Sequence, residues 1–338
     1  MKNTISGWQS WTPCHPVPNI FDLLSRHFYS PFGQNEWKIP NNNKAGQSKP
    51  IAGWCSFYSY GHSINEQNIL SNAKILADKI SPPMDTYIVV DDGWCNWGDW
   101  SNPNPSKFPH GLSYLTNQIR SMGLKPGVWI APFLSNTPTP YRLKVFPFNF
   151  IQDLENPQIF RKAIDSIKIL IEKYNFEYLK LDFLYALHHL TRYTSSKTPD
   201  EILSKYLSTI RSLYPHVHFN LCGCPLGPAV GNCDSMRISA DIISPFLDNI
   251  WPLNSFFHTH RLNQLDKNII NRENTRNLWL LDPDIYTCRN STGLSHAQKI
   301  LLRNLIRKAN GLYFLGDDLT QLTSFQIDTY VLPLFKDL

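Results

Sequence analysis

Short, continuous apolar runs alternate along this chain with longer stretches in which apolar residues lie three and four positions apart. The first pattern predicts strands that are buried on both faces, and the second predicts amphipathic helices. From Ile51 onward the pattern predicts eight strands, most of them separated by a helical stretch. The predicted strands cover residues 51–58, 86–92, 125–132, 176–184, 217–222, 235–241, 277–282 and 311–316.

The predicted helices cover residues 65–79, 111–122, 156–174, 199–213 and 295–309. Pro157 suits the first turn of its helix, and Ser63 with Glu66 has the spacing of a capping box. Alternating strands and helices predict an α/β fold with a parallel sheet, and eight such units predict a (β/α)₈ TIM barrel. The alternative is an open doubly wound sheet, although no G-x-G-x-x-G follows the first strand. The long gap between residues 241 and 277 predicts an extra helix or an active-site loop.

Residues 1–50 lack this rhythm and contain one candidate short helix near residues 20–27, followed by a turn-rich segment at 41–46. We therefore predict an N-terminal extension, residues 1–50, packed on a catalytic barrel that comprises residues 51–338.

Composition and charge exclude several function classes. Net charge is +5 over 338 residues without a basic run, so no nucleic-acid partner is expected. No apolar run reaches the length of about 18 residues that a membrane helix needs, and the N-terminus lacks a secretory signal. Seven cysteines without zinc spacing indicate reduced thiols. We expect a cytoplasmic protein without a structural metal or cofactor.

Polar residues interrupt the most apolar run, F-E-Y-L-K-L-D-F-L at 176–184. Lys180 and Asp182 are two positions apart, which places both side chains on one face of a strand. Burying two charged groups costs several kcal/mol unless they are paired or used. The pair is therefore either a structural ion pair or part of a polar site.

Other polar residues also fall at the carboxyl ends of predicted strands, where TIM barrels carry their chemistry. Together they would form an acidic cup with aromatic walls, which suits a sugar, because carboxylates bind vicinal hydroxyls and Trp packs against C–H groups. The cup could instead hold a divalent cation, although Lys180 and Arg237 already supply positive charge. His188 and His189 lie beyond the fourth strand and are interpreted as loop or helix residues, whereas His62, after the first strand, is ambiguous. The strand-end residues are Trp54, Asp91, Asp92, Trp94, Trp129, Cys222, Arg237, Asp241, Asp282, Asp284, Asp317 and Asp318.

Two carboxylates that flank a glycosidic bond are sufficient for hydrolysis. Asp182 and Asp241, on the fourth and sixth strands, can face each other across the barrel mouth. Lys180 would keep Asp182 ionised as a nucleophile. Asp241 lies among Ile238, Ile242 and Ile243 in the sequence, an apolar setting that favours a protonated acid.

The same segments resemble the melibiase-type α-galactosidases, in particular glycoside hydrolase family 36. Two matches lie on the first two strands, G-W-C-S-F-Y and V-V-D-D-G-W, and a long one follows in the loop G-D-W-S-N-P-N-P-S-K-F-P-H-G-L. The others are G-L-K-P-G-V-W-I-A-P, the nucleophile motif Y-L-K-L-D-F, the loop L-C-G-C-P-L-G-P-A-V-G and the acid/base motif M-R-I-S-A-D.

The resemblance implies a retaining α-galactosidase in which Asp182 is the nucleophile and Asp241 the acid/base. It implies that Asp91 and Asp92 bind the 4-OH and 6-OH of galactose. Lys180, Arg237, Cys222, Trp54 and Trp129 would complete the substrate pocket.

Larger family members carry a β-sandwich before the barrel and a β-domain after it. The chain is therefore expected to be a minimal barrel or a truncated gene product, and a homo-oligomer is compatible with it. Two alternatives stay open. One is a galactosyltransferase similar to raffinose or stachyose synthases, and the other is a non-catalytic sugar-binding barrel.

Overall fold

The structure is a computed structural model that describes residues 49–138, 150–189, 197–243 and 254–338, with two short strands before them. These two strands, Thr4–Ser6 and Glu36–Lys38, pair antiparallel. The predicted helix near residues 20–27 and the turn-rich segment at 41–46 lie outside the described residues. The division into an extension and a barrel at residue 50 stays a prediction.

Within the described ranges, nine parallel strands form the sheet. Eight of them, numbered in chain order, lie in the order 7-6-5-4-3-2-1-8, and the ninth, the short strand Ile285–Tyr286, lies beside strand 8. Neighbouring strands along the chain are neighbours in the sheet, and strand 8 returns to pair with strand 1. The strands are β1 Ile51–Cys55, β2 Thr86–Val90, β3 Lys125–Ile130, β4 Tyr178–Leu181, β5 His218–Leu221, β6 Ser235–Arg237, β7 Leu280–Asp282 and β8 Leu312–Leu315.

The two ends of the sheet are joined by consecutive strands of the chain, β7 and the short strand Ile285–Tyr286. Residues of β7 pair with β6, and the short strand Ile285–Tyr286, two residues further on, pairs with β8. Between them Pro283 and Asp284 form a corner, where Asp284 has a φ of 81°. The (β/α)₈ barrel is therefore confirmed, and the open doubly wound alternative is wrong.

A helix follows each strand and covers the outside of the sheet. The sequence predicted either an extra helix or an active-site loop between residues 241 and 277, and the structure has a helix there. No helix among the described residues is long and apolar enough to cross a bilayer. The helices are α1 Glu66–Ile75, α2 Gly111–Ser121, α3 Pro157–Lys168, α4 Pro199–Leu213, α5 Leu226–Ala229, α6 Asn254–Asn271, α7 His296–Ala309 and a last one, α8, made of Ser324–Gln326, Ile327–Val331 and Leu332–Phe335.

Side-chain caps begin several of the helices, among them α1 and α3. Asn156 accepts a hydrogen bond from Gln158 N, with Pro157 at the first helical position as predicted. The predicted capping box at Ser63 is wrong, because α1 starts two residues later. Asn65 is its N-cap and accepts a hydrogen bond from Asn68 N. An asparagine side chain reaches the same amide position that a serine would have satisfied.

The barrel interior is apolar near the amino ends of the strands and polar near their carboxyl ends. Inward-facing residues near the amino ends of the strands, among them Tyr87, Tyr178 and Phe314, form a small buried cluster. Gly53 leaves room for this packing, since a Cβ there would lie 2.5 Å from the Phe314 ring. Successive inward residues are two apart, so Lys180 follows Tyr178 directly, and Asp91 follows Tyr87 and Val89. This alternation places the polar residues in one layer at the barrel mouth.

His218, at the start of β5, should make stability depend on pH. Its ring stacks on Tyr178 at 4.9 Å, and its Nε2 lies 2.8 Å from Ser235 Oγ. Burial lowers the pKa of His218 from 6.5 to about 4. The unfolded chain therefore binds a proton that the folded protein does not, between these two values. The contribution of His218 to the free energy of unfolding should fall by about 1–3 kcal/mol as pH drops from 6.5 to 4, and this contribution should not fall further below pH 4.

Urea unfolding at several pH values measures this loss. The variant His218→Phe keeps a flat ring against Tyr178 but cannot titrate, so its unfolding free energy should depend less on pH over this window. An identical pH dependence in the two proteins would contradict the assignment.

Candidate active site

The ion pair between Lys180 and Asp91 forms the centre of the site. Pairing register places Lys180 of β4 between Trp129 of β3 and Asn220 of β5. Its Nζ donates to Asp91 Oδ2 at 2.8 Å, and both side chains are largely buried. Burial alone would lower the pKa of Lys180, but the Asp91 carboxylate together with Cys55 and Cys222 outweighs burial and holds the pKa well above its usual value. The ammonium group stays charged inside the barrel mouth.

Asp91 is fixed from several sides. Its Oδ2 also accepts the Cys55 thiol at 3.1 Å, and its Oδ1 accepts Asp92 N at 2.8 Å. Its own amide donates to Ser56 Oγ. Burial, with the neighbouring Asp91 charge, raises the pKa of the Cys55 thiol. Cys55 therefore acts here as a hydrogen-bond donor and not as a thiolate.

Asp92 is held by residues from two loops. Its Oδ1 accepts Trp97 Nε1 at 2.7 Å, and its Oδ2 lies 2.9 Å from His62 Nε2. Burial raises the pKa of Asp92, while the hydrogen bonds from Trp97 and His62 oppose that rise. Lys107, from the K-F-P segment, donates to the carbonyls of His62 and Gly93 and so ties the two loops together.

Asp182 follows β4 directly and is held by two donors. Trp129 Nε1 donates to its Oδ2 at 3.0 Å, and Phe183 N donates to its Oδ1 at 2.7 Å. Phe183 has a φ of 55°, so the backbone bends sharply where the carboxylate emerges. The aromatic rings of Trp97 and Phe183 lie 5.6 Å apart and wall this side of the site.

Arg237, at the end of β6, faces three carboxylates. Its Nη1 lies 3.3 Å from Asp241 Oδ1, its Nε 3.2 Å from Asp282 Oδ2 and its Nη2 2.9 Å from Asp284 Oδ1. Burial would raise the pKa of Asp282, but Arg237 and the amide of Asn220 outweigh it and lower the pKa. Asn220 Nδ2 donates to Asp282 Oδ2 at 2.7 Å.

The setting of Asp241 is more polar than its sequence neighbours indicated. Ile238, Ile242 and Ile243 are buried, but the carboxylate itself points to Arg237 and is part-exposed. The expectation of an apolar environment is therefore wrong, because side chains next to each other in an irregular loop do not share one direction.

The remaining predicted residues lie in the same region. Cys222 follows β5, is buried, and lies close enough to Lys180 and Arg237 to affect the pKa of both. Trp129 contacts Asp182 as described. Trp54 is fully buried, and its Nε1 donates to the Asp317 carbonyl at 2.7 Å. Trp94 supports Trp129 by donating to its carbonyl oxygen.

The comparisons with known proteins agree with the motifs. A probable α-galactosidase of Dictyostelium discoideum is 34% identical over 85 residues, which are 24% of this chain and 22% of the relative. TtGalA, an α-galactosidase from Thermus thermophilus solved with p-nitrophenyl α-D-galactopyranoside, matches with a TM-score of 0.69 and 23% identity. The match covers 86% of this chain and 62% of TtGalA. The chain resembles the melibiase-type α-galactosidases.

A second α-galactosidase structure, the family 36 enzyme AgaA of Geobacillus stearothermophilus, matches with a TM-score of 0.63 and 19% identity, over 89% of this chain and 43% of AgaA. No protein-family model matches the chain. The matched segment spans about a fifth of the length of the curated α-galactosidase relative.

The structure adds residues that the motifs did not single out. Tyr58, Trp97 and Asn220 contact the predicted carboxylates, and His62, ambiguous in the sequence, pairs with Asp92. Tyr58 was detectable, because it is the last residue of the segment G-W-C-S-F-Y that resembles α-galactosidases. Trp97 lies between the quoted segments, three residues after V-V-D-D-G-W, and Asn220 has the pattern of an ordinary strand residue, so neither gave a signal. Among the described residues, no group of three or more His, Cys, Asp or Glu side chains is arranged to hold a metal ion.

Proposed function

We propose that this barrel is a glycoside hydrolase that removes terminal α-linked galactose with retention of configuration. The observation that carries the proposal is the pair of carboxylates after β4 and β6. Asp182 has both oxygens hydrogen-bonded, and Asp241 contacts Arg237 at the mouth of the same barrel. The resemblance to α-galactosidases supports this assignment.

In the first step an Asp182 oxygen bonds to C1 of galactose while the bond between C1 and the leaving oxygen breaks. That oxygen receives the proton of Asp241. In the second step Asp241 takes a proton from water, the water oxygen bonds to C1, and the bond to Asp182 breaks. Trp129 Nε1 and Phe183 N orient the nucleophile, since each donates to one carboxylate oxygen.

The polar layer beside Asp182 would bind the sugar. Asp91 is an acceptor held by Lys180, and Asp92 is an acceptor held by Trp97 and His62. Fixed acceptors of this kind bind vicinal hydroxyls with little loss of side-chain entropy. Lys180, Cys222 and Arg237 line the layer, and the aromatic ring of Trp129 is proposed to complete the pocket. Trp54, which was predicted to line it as well, is fully buried on the face of β1 opposite to Gly53 and Cys55, where its ring packs against Tyr60. Strand alternation therefore removes Trp54 from the pocket wall. A cytoplasmic location and a homo-oligomer stay predictions from the sequence.

The test is release of nitrophenol from p-nitrophenyl α-galactoside, with the first product anomer followed by NMR. We expect α-galactose to form first. Initial β-galactose would contradict retention, and release of no sugar would favour the non-catalytic binding barrel. Incubation with raffinose and an acceptor sugar distinguishes hydrolysis from the galactosyltransferase alternative, in which transfer products dominate.

Trp97→Phe should weaken substrate binding more than it slows turnover. The ring contacts with Trp129 and Phe183 can persist, but Asp92 loses the donor that holds its Oδ1. A hydrogen bond to a charged group contributes about 1.5–3 kcal/mol, so KM should rise roughly tenfold or more while kcat changes less. Steady-state kinetics measures both constants. A large fall in kcat at unchanged KM would contradict this role.

A further inference from the structure

Asp284 lies outside the motifs that resemble the catalytic sequence, yet it contacts the residues around Asp241. It is almost fully buried and has the left-handed φ of the corner after β7. Its Oδ2 accepts Tyr58 OH at 2.6 Å and Ile242 N at 2.8 Å. Its Oδ1 lies 2.9 Å from Arg237 Nη2.

Two of these contacts lead directly to Asp241. Ile242 N belongs to the peptide bond that joins Asp241 to Ile242, so Asp284 fixes the backbone from which the Asp241 side chain extends. Arg237 contacts the Asp241 carboxylate with Nη1 and Asp284 with Nη2. Asp284 therefore restrains Asp241 through its backbone and through the shared guanidinium.

The charges in this cluster are unequal. One guanidinium, Arg237, faces Asp241, Asp282 and Asp284, and the two donors to Asp284 Oδ2, the Tyr58 hydroxyl and the Ile242 amide, are neutral. Burial raises the pKa of Asp284 to about 6, with Arg237 opposing the rise and Asp241 adding to it. Burial, with Asp241 and Asp284 contributing, also keeps the Tyr58 hydroxyl protonated by raising its pKa. The negative charge of Asp241 therefore adds to burial in disfavouring ionisation of Asp284.

We propose that Asp284 is a positioning residue that orients Asp241 for proton donation to the leaving group. This role rests on the proposed glycosidase function. It predicts a dependence on the leaving group, because a sugar alkoxide must be protonated as it departs, whereas nitrophenolate is a stable anion that leaves with little help from an acid.

The experiment compares kcat/KM for raffinose and for p-nitrophenyl α-galactoside in wild type, Asp284→Asn and Asp241→Ala. We expect Asp284→Asn to lose about 100-fold or more with raffinose and less than about tenfold with the nitrophenyl substrate, in the same direction as Asp241→Ala. The alkaline limb of the raffinose pH profile should also move, because a charge beside Arg237, Asp241, Asp282 and Tyr58 is removed. Equal losses with both substrates and an unchanged pH profile would overturn the role of Asp284.

Two further variants separate positioning from folding. Tyr58→Phe removes one donor to Asp284 without changing its charge, and should shift the ratio of the two substrates about threefold or more in the same direction. If Asp284→Asn does not fold, the substrate ratio of Tyr58→Phe tests the role of Asp284 instead. Asp234→Asn removes a carboxylate that pairs with Arg211 and accepts Phe219 N at the opposite end of the barrel. This control should leave the ratio unchanged, and a matching shift would overturn the proposal.

Assays of the wild-type protein distinguish a failure of the proposed function from a failure of the role proposed for Asp284. If it cleaves neither substrate, the proposed function is overturned and the role of Asp284 with it. If it cleaves both and the variants lose both equally, only the role of Asp284 is overturned.

Discussion

Asp182→Asn should abolish α-galactoside hydrolysis, with a fall in kcat of roughly 10⁴-fold or more. The amide cannot form the covalent bond to C1, although it has nearly the same shape as the carboxylate. Its oxygen can still accept a hydrogen bond from Trp129 Nε1 or Phe183 N, the two donors that hold Asp182. The fold should therefore survive, and the loss should appear in kcat with the nitrophenyl substrate.

A matched control is Asp85→Asn, which changes the same side chain in an exposed pair with Lys125 at the other end of the barrel. Its activity should equal that of the wild type, since exposed ion pairs contribute little. Both variants should melt within a few degrees of the wild type. Full activity in Asp182→Asn would rule out Asp182 as the nucleophile.

Lys180→Met should cost both stability and activity. The substitution leaves Asp91 buried without its ammonium partner, while the Cys55 thiol and the amide of Asp92 still donate to it. Removing one member of a buried ion pair destabilises a protein by about 3–5 kcal/mol, because the other charge is left uncompensated. Urea unfolding at neutral pH measures this loss.

The double variant Lys180→Met/Asp91→Asn separates the two effects. Without a charge at position 91, the isolated carboxylate no longer opposes folding, so most of the lost stability should return. Activity should not return, because both sugar-binding groups are gone. The coupling free energy from the double-mutant cycle should be large, since the two groups are in direct contact. If Lys180→Met were as stable as the wild type, buried Asp91 would not require the Lys180 ammonium group for folding, and the prediction would be wrong.

The positions of Lys180 and Asp182 follow from sequence, and so does the site they share. Their two-residue spacing inside an apolar run requires one strand face, and the strand-helix alternation places that strand in a parallel barrel. The carboxyl ends of all strands then meet at one mouth. This reasoning was sufficient to predict Asp91, Cys222, Arg237 and Asp241 in the same region.

Contacts between loops could not be predicted in this way. Tyr58 and Asp284 are 226 positions apart, and no local pattern links a tyrosine after β1 to an aspartate after β7. The polar setting of Asp241 was also hidden, because its immediate neighbours in the sequence are isoleucines. Side-chain direction in an irregular loop depends on what the loop packs against.

The fold class, the strand order and the residues at the barrel mouth followed from the sequence, because hydrophobic periodicity is a local property and the same strand-helix unit is repeated eight times. How those residues are connected became clear only from the folded barrel. Two consecutive strands, β7 and Ile285–Tyr286, join the ends of the sheet, Asp91 and Lys180 form one buried pair, and Arg237 lies against three carboxylates. Such contacts depend on the closed geometry of the whole barrel, in which residues from distant strands meet at distances of about 3 Å.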